Sequence, residues 1–358
     1  MSLSLAIHER EEKKSKPDYD NLRFGAEFTD HMFMMDYSTE DGWHEPRIIP
    51  YQPLTMDPSS LVFHYGQAVF EGLKAYHFQD KLLLFRPEKN FKRLNESNRR
   101  MNIPEIDENF MVDALKELVK LEKDWIPTKE GQSLYIRPFI IATEASLSVK
   151  PSSRYKLIII LSPVGAYYSN SEQMSPVSIF VEDDYVRSVK GGVGFTKTAG
   201  NYAASLKAQK KAEELGYDQV LWLDAIEKKY IEEVGSMNIF FKINGEVITP
   251  ALNGSILEGI TRNSVIELLK SWDIPVTERL ISIEEVEAAH ENGTLEEVFG
   301  TGTAAVISPV GTLKWKGTDL SINNGETGKL SLDLYETIAG IQTGMMEDKM
   351  GWTVTVQA

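Results

Sequence analysis

Lys197 is the residue whose setting first suggests chemistry. It lies in Gly191-Gly-Val-Gly-Phe-Thr-Lys197-Thr-Ala-Gly-Asn-Tyr202, among glycines and just ahead of a stretch rich in helix formers. Glycine lets a chain turn sharply and lets another group approach closely. A lysine kept only for solubility needs neither. The plain alternatives are a solvated loop residue or a phosphate contact at a helix start. A nucleotide P-loop needs glycine directly before the lysine, and Thr196 stands there instead.

Four further features point to related chemistry. Gly259-Ile260-Thr261 opens a predicted helix, and Gly300-Thr-Gly-Thr303 forms a small-residue turn. Both are candidate phosphate cradles, because helix starts present unpaired N–H groups and a positive dipole end. Arg93 can supply charge to the same anion. Glu232-Glu233 interrupts an apolar strand. Neighbouring strand residues face opposite sides, so one of the two should point inward and need a partner. A protonated pyridine nitrogen would be one. Lysine, phosphate cradle and inward carboxylate form the set a pyridoxal phosphate enzyme requires. The amine forms the Schiff base and moves protons, while the carboxylate keeps the ring able to absorb carbanion charge. Arg137 sits inside the apolar strand Ser133–Ala142, which is costly without an anion to pair with.

The elements that must position these groups come from a soluble, acidic chain. Of 358 residues, 42% are hydrophobic and 25% charged, with a net charge of -15. That balance disfavours nucleic acid and anionic membranes as partners. There is no cysteine, so thiolate nucleophiles, thiolate zinc sites and disulfides are excluded. The histidines are scattered without metal-ligand spacing, and no metal is expected. The acidic run Glu182-Asp-Asp184 reads as a solvated face. No apolar run spans a bilayer, and the charged N-terminus is not a secretory signal. A cytoplasmic location is expected.

Residues 8–19 are charged and read as a loose arm. Phe24–Tyr37 reads as strand, and Asp41-Gly42 as a hairpin turn. An amphipathic helix is predicted over Glu108–Trp125, with Met111, Leu115, Leu118 and Val119 on its apolar face. Further helices are predicted after Asn201, over Gly259–Trp272, over Ile283–His290 and over Leu330–Ile341. Tyr230–Phe241 reads as strand. The expected organisation is a smaller α/β domain over 1–163, a linker over 164–176, and a larger domain over 177–358 carrying the lysine. The class is α+β (mixed α/β), with its site at the domain boundary.

The chain resembles the branched-chain amino-acid aminotransferases, in the long-form subgroup of the fold-type-IV pyridoxal phosphate enzymes. The motifs that carry the resemblance are Phe-Thr-Asp-His-Met at 28–32, Phe-Glu-Gly-Leu-Lys-Ala at 70–75 and Leu-Tyr-Ile-Arg-Pro at 134–138. Ser-Pro-Val-Gly-Ala-Tyr at 162–167, Gly-Gly-Val-Gly at 191–194, Gly-Asn-Tyr at 200–202, Glu-Val-Gly-Ser-Met-Asn at 233–238 and Glu-Val-Phe-Gly-Thr-Gly-Thr-Ala at 297–304 complete them. The resemblance implies that Lys197 forms the internal aldimine with pyridoxal 5'-phosphate and shuttles the proton. It implies that Glu233, rather than Glu232, faces the pyridine nitrogen and that Tyr202 meets the phenolic oxygen. Arg93, Ile260, Thr261 and Thr303 then hold the phosphate. Phe24, Tyr65, Phe70, Tyr135, Tyr167 and Ser236 line the side-chain pocket. Arg137 and the Thr303-Ala304 amides orient substrate carboxylates. Leu147 and Val149 reach the partner subunit's site, which implies a homodimer at least. The reaction implied is amino transfer between Leu, Ile or Val and 2-oxoglutarate. Some long-form members carry Cys-x-x-Cys where this chain has Ala305 and Ser308, so no thiol switch of that kind exists here. Ser236 replaces a threonine and retains the hydroxyl. The rival readings are a D-amino-acid aminotransferase or aminodeoxychorismate lyase, a nucleotide-binding protein, and a non-catalytic scaffold. Tyr135-Ile-Arg137 and the chain length argue against the first pair.

Overall fold

The computed structural model describes residues 3–167 and 174–357. In chain order its first elements are β1 (Ala6–Ile7), β2 (His31–Ser38), β3 (Gly42–Pro50), α1 (Leu61–Tyr65), β4 (Ala68–Phe70), β5 (Leu73–Phe78) and β6 (Lys81–Phe85). Then come α2 (Pro87–Met101), α3 (Glu108–Leu121), β7 (Ser133–Ala142), β8 (Arg154–Val164), β9 (Val177–Glu182), α4 (Ala199–Glu214), β10 (Gln219–Leu223) and β11 (Ile231–Val234). β12 (Asn238–Ile243), β13 (Glu246–Pro250), α5 (Ile260–Ser271), β14 (Val276–Arg279), α6 (Ile283–Glu291) and β15 (Leu295–Gly302) follow. The last are β16 (Val306–Trp315), β17 (Thr318–Ser321), α7 (Lys329–Thr343) and β18 (Thr353–Val356). The class is mixed α/β, as expected.

Two units emerge. The first comprises Met1–Tyr167, Thr196–Ala199 and Gly340–Ala358; the second comprises Tyr168–Phe195 and Gly200–Ala339. Two stretches expected in the C-terminal half therefore belong to the first unit. The physical reasons are local. β18 pairs antiparallel with β6, and Thr198 bridges to Val69 of β4. Of the expected linker 164–176, residues 168–173 lie outside the described residues.

The first unit is one nine-stranded sheet in the order β1-β3-β2-β8-β7-β5-β6-β18, with β4 on β7. Strand alternation divides its residues between two faces. On β7, Leu134, Ile136 and Ile140 join a core cluster that also contains Phe91 and Leu94 of α2 and Met111, Ala114, Leu115, Leu118 and Val119 of α3. The α3 positions recur at three- and four-residue steps, and burial stabilises each large apolar side chain by roughly 1.5–3 kcal/mol. Asp107 caps α3 by accepting from Phe110 N. Tyr135, Arg137 and Phe139 take the opposite face, where Phe139 packs with Met32, Met34 and Ile158. The candidate site residues Tyr135 and Arg137 of β7, and Phe70 of β4 opposite Phe139, therefore sit on the sheet face away from this cluster.

The second unit is a nine-stranded mixed sheet in the order β11-β10-β9-β16-β15-β12-β13-β14, with β17 on β16. Its predicted 230–241 strand is two strands. Gly235 adopts φ 53°, and its N–H donates to Val220 O at 2.6 Å. The tight turn throws Ser236 outward to solvent. Among the expectations for residues 8–37, two change. Strand begins only at His31, and residues 8–19 are docked, with Arg10 N donating to His31 Nε2 at 2.8 Å and Lys14 N to Asp30 Oδ1 at 2.7 Å. Glu182 is fully buried rather than solvated, and Lys211 Nζ pairs with it at 3.1 Å.

Candidate active site

In the first unit, the lysine loop is stitched to the sheet by its backbone. Lys197 N donates to Ser97 Oγ of α2 at 3.0 Å. Its carbonyl accepts from Phe70 N at 3.0 Å. The Thr198 hydroxyl donates to Ala68 O at 2.7 Å. These contacts hold both flanks of a side chain that remains half-buried. Lys197 Nζ stands 4.8 Å from the Phe70 ring centroid, and Arg137 Cζ stands 4.7 Å from the same ring. Such cation–ring contacts are favourable and help orient both groups.

Arg137 Nη2 donates to the Tyr135 hydroxyl at 2.9 Å, and Phe24 meets the Tyr135 ring edge-on at 4.9 Å. Arg137 Nε is buried with no hydrogen-bond partner among the described residues. Cross-strand from Tyr135 lies Lys74, whose amine burial pushes down to about 8. Tyr65 donates its hydroxyl to Leu147 O. Tyr65, Tyr167, Leu147 and Val149 are all exposed, Val149 at 84%.

Glu71 lies in the Phe-Glu-Gly-Leu-Lys-Ala motif, but its neighbours in sequence assign it no role. It is wholly buried. Oε1 accepts from Arg93 Nε and Oε2 from Arg93 Nη2, each at 2.8 Å. Oε2 also accepts from Asn90 Nδ2 at 2.8 Å and Gly72 N at 3.2 Å. Burial pushes this carboxyl up, but Arg93 foremost, then Lys197 and Asn90, hold the balance below the usual carboxylate value. The bidentate fork fixes the guanidinium plane of Arg93. The available signal was an acidic residue set in the aromatic stretch Val69-Phe-Glu-Gly72.

In the second unit, both glutamates of β11 are buried, Glu232 at 4% and Glu233 at 2% exposure. The expectation that only one points inward is therefore corrected. Alternation does send them to different sides, but β11 is covered on both. Glu233 Oε2 lies 2.8 Å from Arg187 Nε, and Asn238 Nδ2 donates to Glu233 Oε1 at 3.4 Å. Arg187, also missed from sequence, donates to Ser255 O at 3.0 Å and Gly194 O at 3.1 Å. A Cβ on Gly194 would stand 2.2 Å from Ser255 O, so this close approach requires the glycine. Tyr202 lies half-buried in the first turn of α4.

Helix α5 opens on Gly259 with no side-chain cap and no acidic residue in its first turn. The first-turn N–H groups, at Ile260 and Thr261, suit an anion. Thr303 and Ala304 occupy the turn between β15 and β16, where Val306 is held at φ 63°. That angle is strained for a β-branched residue, and strain of this kind concentrates at functional sites. In the first unit the donors are a primary amine, a fork-held guanidinium and a guanidinium nitrogen with no partner among the described residues; in the second they are a buried carboxylate and an uncapped helix start. By chemistry an amine suits an aldehyde, a carboxylate suits a protonated pyridine nitrogen, and guanidinium and helix-start N–H groups suit phosphate and carboxylate anions.

Residues 68–313 match the family model described as Amino-transferase class IV. Branched-chain-amino-acid aminotransferase 2 of Bacillus subtilis (strain 168) is 66% identical over 347 residues, which is 97% of this chain and 95% of that one. Among solved structures, the Escherichia coli branched-chain amino acid aminotransferase aligns with a TM-score of 0.76 at 27% identity, covering 91% of this chain and 99% of its own. The T.th. branched-chain amino acid aminotransferase complexed with N-(5'-phosphopyridoxyl)-L-glutamate aligns with a TM-score of 0.74 at 27% identity, over 91% and 98%. On the extent and identity of these matches, the chain belongs to the class IV aminotransferases, among the branched-chain-amino-acid aminotransferases.

Proposed function

We propose that the protein transfers the amino group reversibly between L-leucine, L-isoleucine or L-valine and 2-oxoglutarate. Lys197 is the covalent anchor of the cofactor and the group that moves the substrate's α-proton. The family works with pyridoxal phosphate, which supplies an electron sink for the carbanion when bound. Lys197 Nζ takes the proton from the substrate Cα, holds it and gives it back on the product side. Glu233, paired with Arg187 at 2.8 Å, would face the pyridine nitrogen. Tyr202 would meet the ring oxygen. Arg93, Ile260, Thr261 and Thr303 would hold the phosphate.

The substrate residues divide by chemistry. Phe24, Tyr65, Phe70, Tyr135, Tyr167 and Ser236 form the wall for the branched side chain, where each buried CH₂ contributes about 0.8 kcal/mol. One methylene separates poorly, at about 1–3 kcal/mol, so all three amino acids are accepted. Arg137 and the Thr303-Ala304 amides take carboxylates. The observation that carries this reading is the Lys197–Phe70–Arg137 arrangement, in which the amine and a guanidinium whose buried Nε has no partner among the described residues share one ring. The glutamate adduct carried by the T.th. relative supports glutamate as the second substrate. The exposure of Leu147 and Val149 supports their completing a partner subunit's site in a homodimer.

The test is Lys197→Ala, assayed with L-leucine and 2-oxoglutarate. Turnover should vanish, and a variant keeping a tenth of the wild-type rate would remove Lys197 from its role. Assays with D-alanine and aminodeoxychorismate alongside L-leucine separate the rivals within the family.

A further inference from the structure

Glu232 and Glu233 are both buried, but among the described residues only Glu233 contacts a guanidinium. Arg187 lies against Glu233 at 2.8 Å. Glu232 contacts Ser255 Oγ through Oε1, while its Oε2 has no hydrogen-bond partner among the described residues. Ser255 Oγ also lies 2.6 Å from Asn253 Oδ1. The orientation of that amide is set independently, because Ser255 N donates to Asn253 Oδ1 at 3.0 Å. Asn253 Oδ1 can therefore only accept.

A hydroxyl has one proton to give. Were Glu232 ionised, Ser255 would face two acceptors and could satisfy one. The other contact would set lone pair against lone pair. A proton on Glu232 resolves both contacts: Glu232 donates to Ser255 Oγ, and Ser255 donates to Asn253 Oδ1.

We propose that Glu232 is held as a neutral carboxylic acid at the head of a Glu232–Ser255–Asn253 relay, and that it acts as a positioning residue for Glu233. The link to Glu233 runs through Ser255, whose carbonyl accepts from Arg187 Nη1 at 3.0 Å. Fixing Ser255 fixes Arg187, and Arg187 fixes Glu233. A neutral Glu232 also leaves Arg187 and Glu233 as a balanced couple, where a second carboxylate would leave net negative charge buried. The charged groups facing Glu232 agree with this. Burial pushes its carboxyl up most strongly and Asp224 adds to that. Ser255, Asn253 and Arg187 pull it down without reversing the balance. Glu233, next along the strand, is the group Arg187 already neutralises.

The protonation state rests on hydrogen-bond geometry alone; the positioning role rests on the proposed place of Glu233 at the cofactor. Thermal midpoints of wild-type and E232Q holoenzyme, measured from mildly acid to alkaline pH, test the first. A neutral folded Glu232 costs stability once the unfolded state can ionise, above about pH 4.3. The midpoint of E232Q relative to wild type should therefore rise with pH. A flat or falling difference overturns the neutral acid. Equilibrium binding of pyridoxal phosphate tests the second. E232A should weaken binding about tenfold and E232Q should restore it to within about twofold, the size of one lost hydrogen bond. Equal weakening by E232A and E232Q overturns the positioning role. If E233Q binds the cofactor as wild type does, the placement of Glu233 fails, and with it the positioning role, while the pH result stands.

Discussion

A Cβ on Gly72 would stand 2.1 Å from the Tyr135 hydroxyl oxygen. The glycine is therefore required by what lies opposite it, since its backbone is not in the left-handed region. Tyr135 is the acceptor for Arg137 Nη2 at 2.9 Å. Gly72→Ala should push the phenol away from Arg137 and unpair it. A hydrogen bond to a charged group contributes about 1.5–3 kcal/mol. We expect kcat/KM for 2-oxoglutarate to fall at least tenfold, with the circular dichroism spectrum unchanged. Tyr135→Phe removes the same bond without the clash and should reproduce most of the loss. Full 2-oxoglutarate activity in both variants would remove this contact from substrate recognition.

Glu71 presents the opposite case, a charge whose removal leaves another stranded. Glu71→Gln keeps the shape but leaves Arg93 with an uncompensated buried charge, at a cost of about 3–5 kcal/mol. The folded carboxyl lies below its ordinary value under the pull of Arg93, against burial. Its stabilisation is therefore present above the unfolded carboxylate range and is lost as pH falls through the folded value. Chemical denaturation should show wild type well above Glu71→Gln at neutral pH, with the gap closing in acid. A gap independent of pH would mean the loss is one of packing. Cofactor affinity should fall with the same substitution, since Arg93 loses the fork that holds its plane.

Local signals carried much of this molecule. Helix α3 is legible because its apolar residues recur at helical spacing behind Asp107, and α5 because Gly259-Ile-Thr marks its start. Lys197 is legible because its glycines have no purpose in a solvated loop. Ser97 and Arg187 are not legible from their neighbours, and Glu71 offers only its aromatic setting. Their partners, Lys197, Glu233 and Arg93, lie far along the chain, and only tertiary packing of helix, strand and loop brings them together. The same limit misplaced the 196–199 stretch, whose allegiance to β4 is a backbone bridge between residues Val69 and Thr198. Alternation suggested one inward glutamate on β11; it could not show that both faces of that strand are covered.

The arm over residues 8–19 shows how composition misleads. Charge density alone argues for solvation, yet these charges have dedicated partners. His31 Nε2 accepts Arg10 N–H at 2.8 Å, so the ring proton sits on Nδ1 and faces Glu122 Oε1. Lys14 Nζ donates to Thr29 O at 2.8 Å. Lys16 Nζ lies 3.9 Å from the Trp125 ring centroid, and the Trp125 indole donates to Asp30 Oδ2 at 2.7 Å. His31 and Asp30 are thus the buried posts to which the arm is tied. Replacing His31 with Ala removes the acceptor for Arg10 and leaves Glu122 Oε1 without its ring partner in a buried place, with Asp30 N still donating to Oε2. The arm should then open locally far more often than the sheet beneath it. Limited trypsin digestion followed by mass spectrometry reads this directly at Arg10, Lys13 and Lys14. Cleavage there should accelerate at least tenfold in His31→Ala, the equivalent of about 1.4 kcal/mol of local opening, while fragments from β7 and β8 stay protected. Phe24 follows the arm and packs on Tyr135, so the same variant should lose preference for branched over linear side chains. An unchanged cleavage rate would show that the strand pair β1–β3 holds the arm by itself and that His31 serves only the interior.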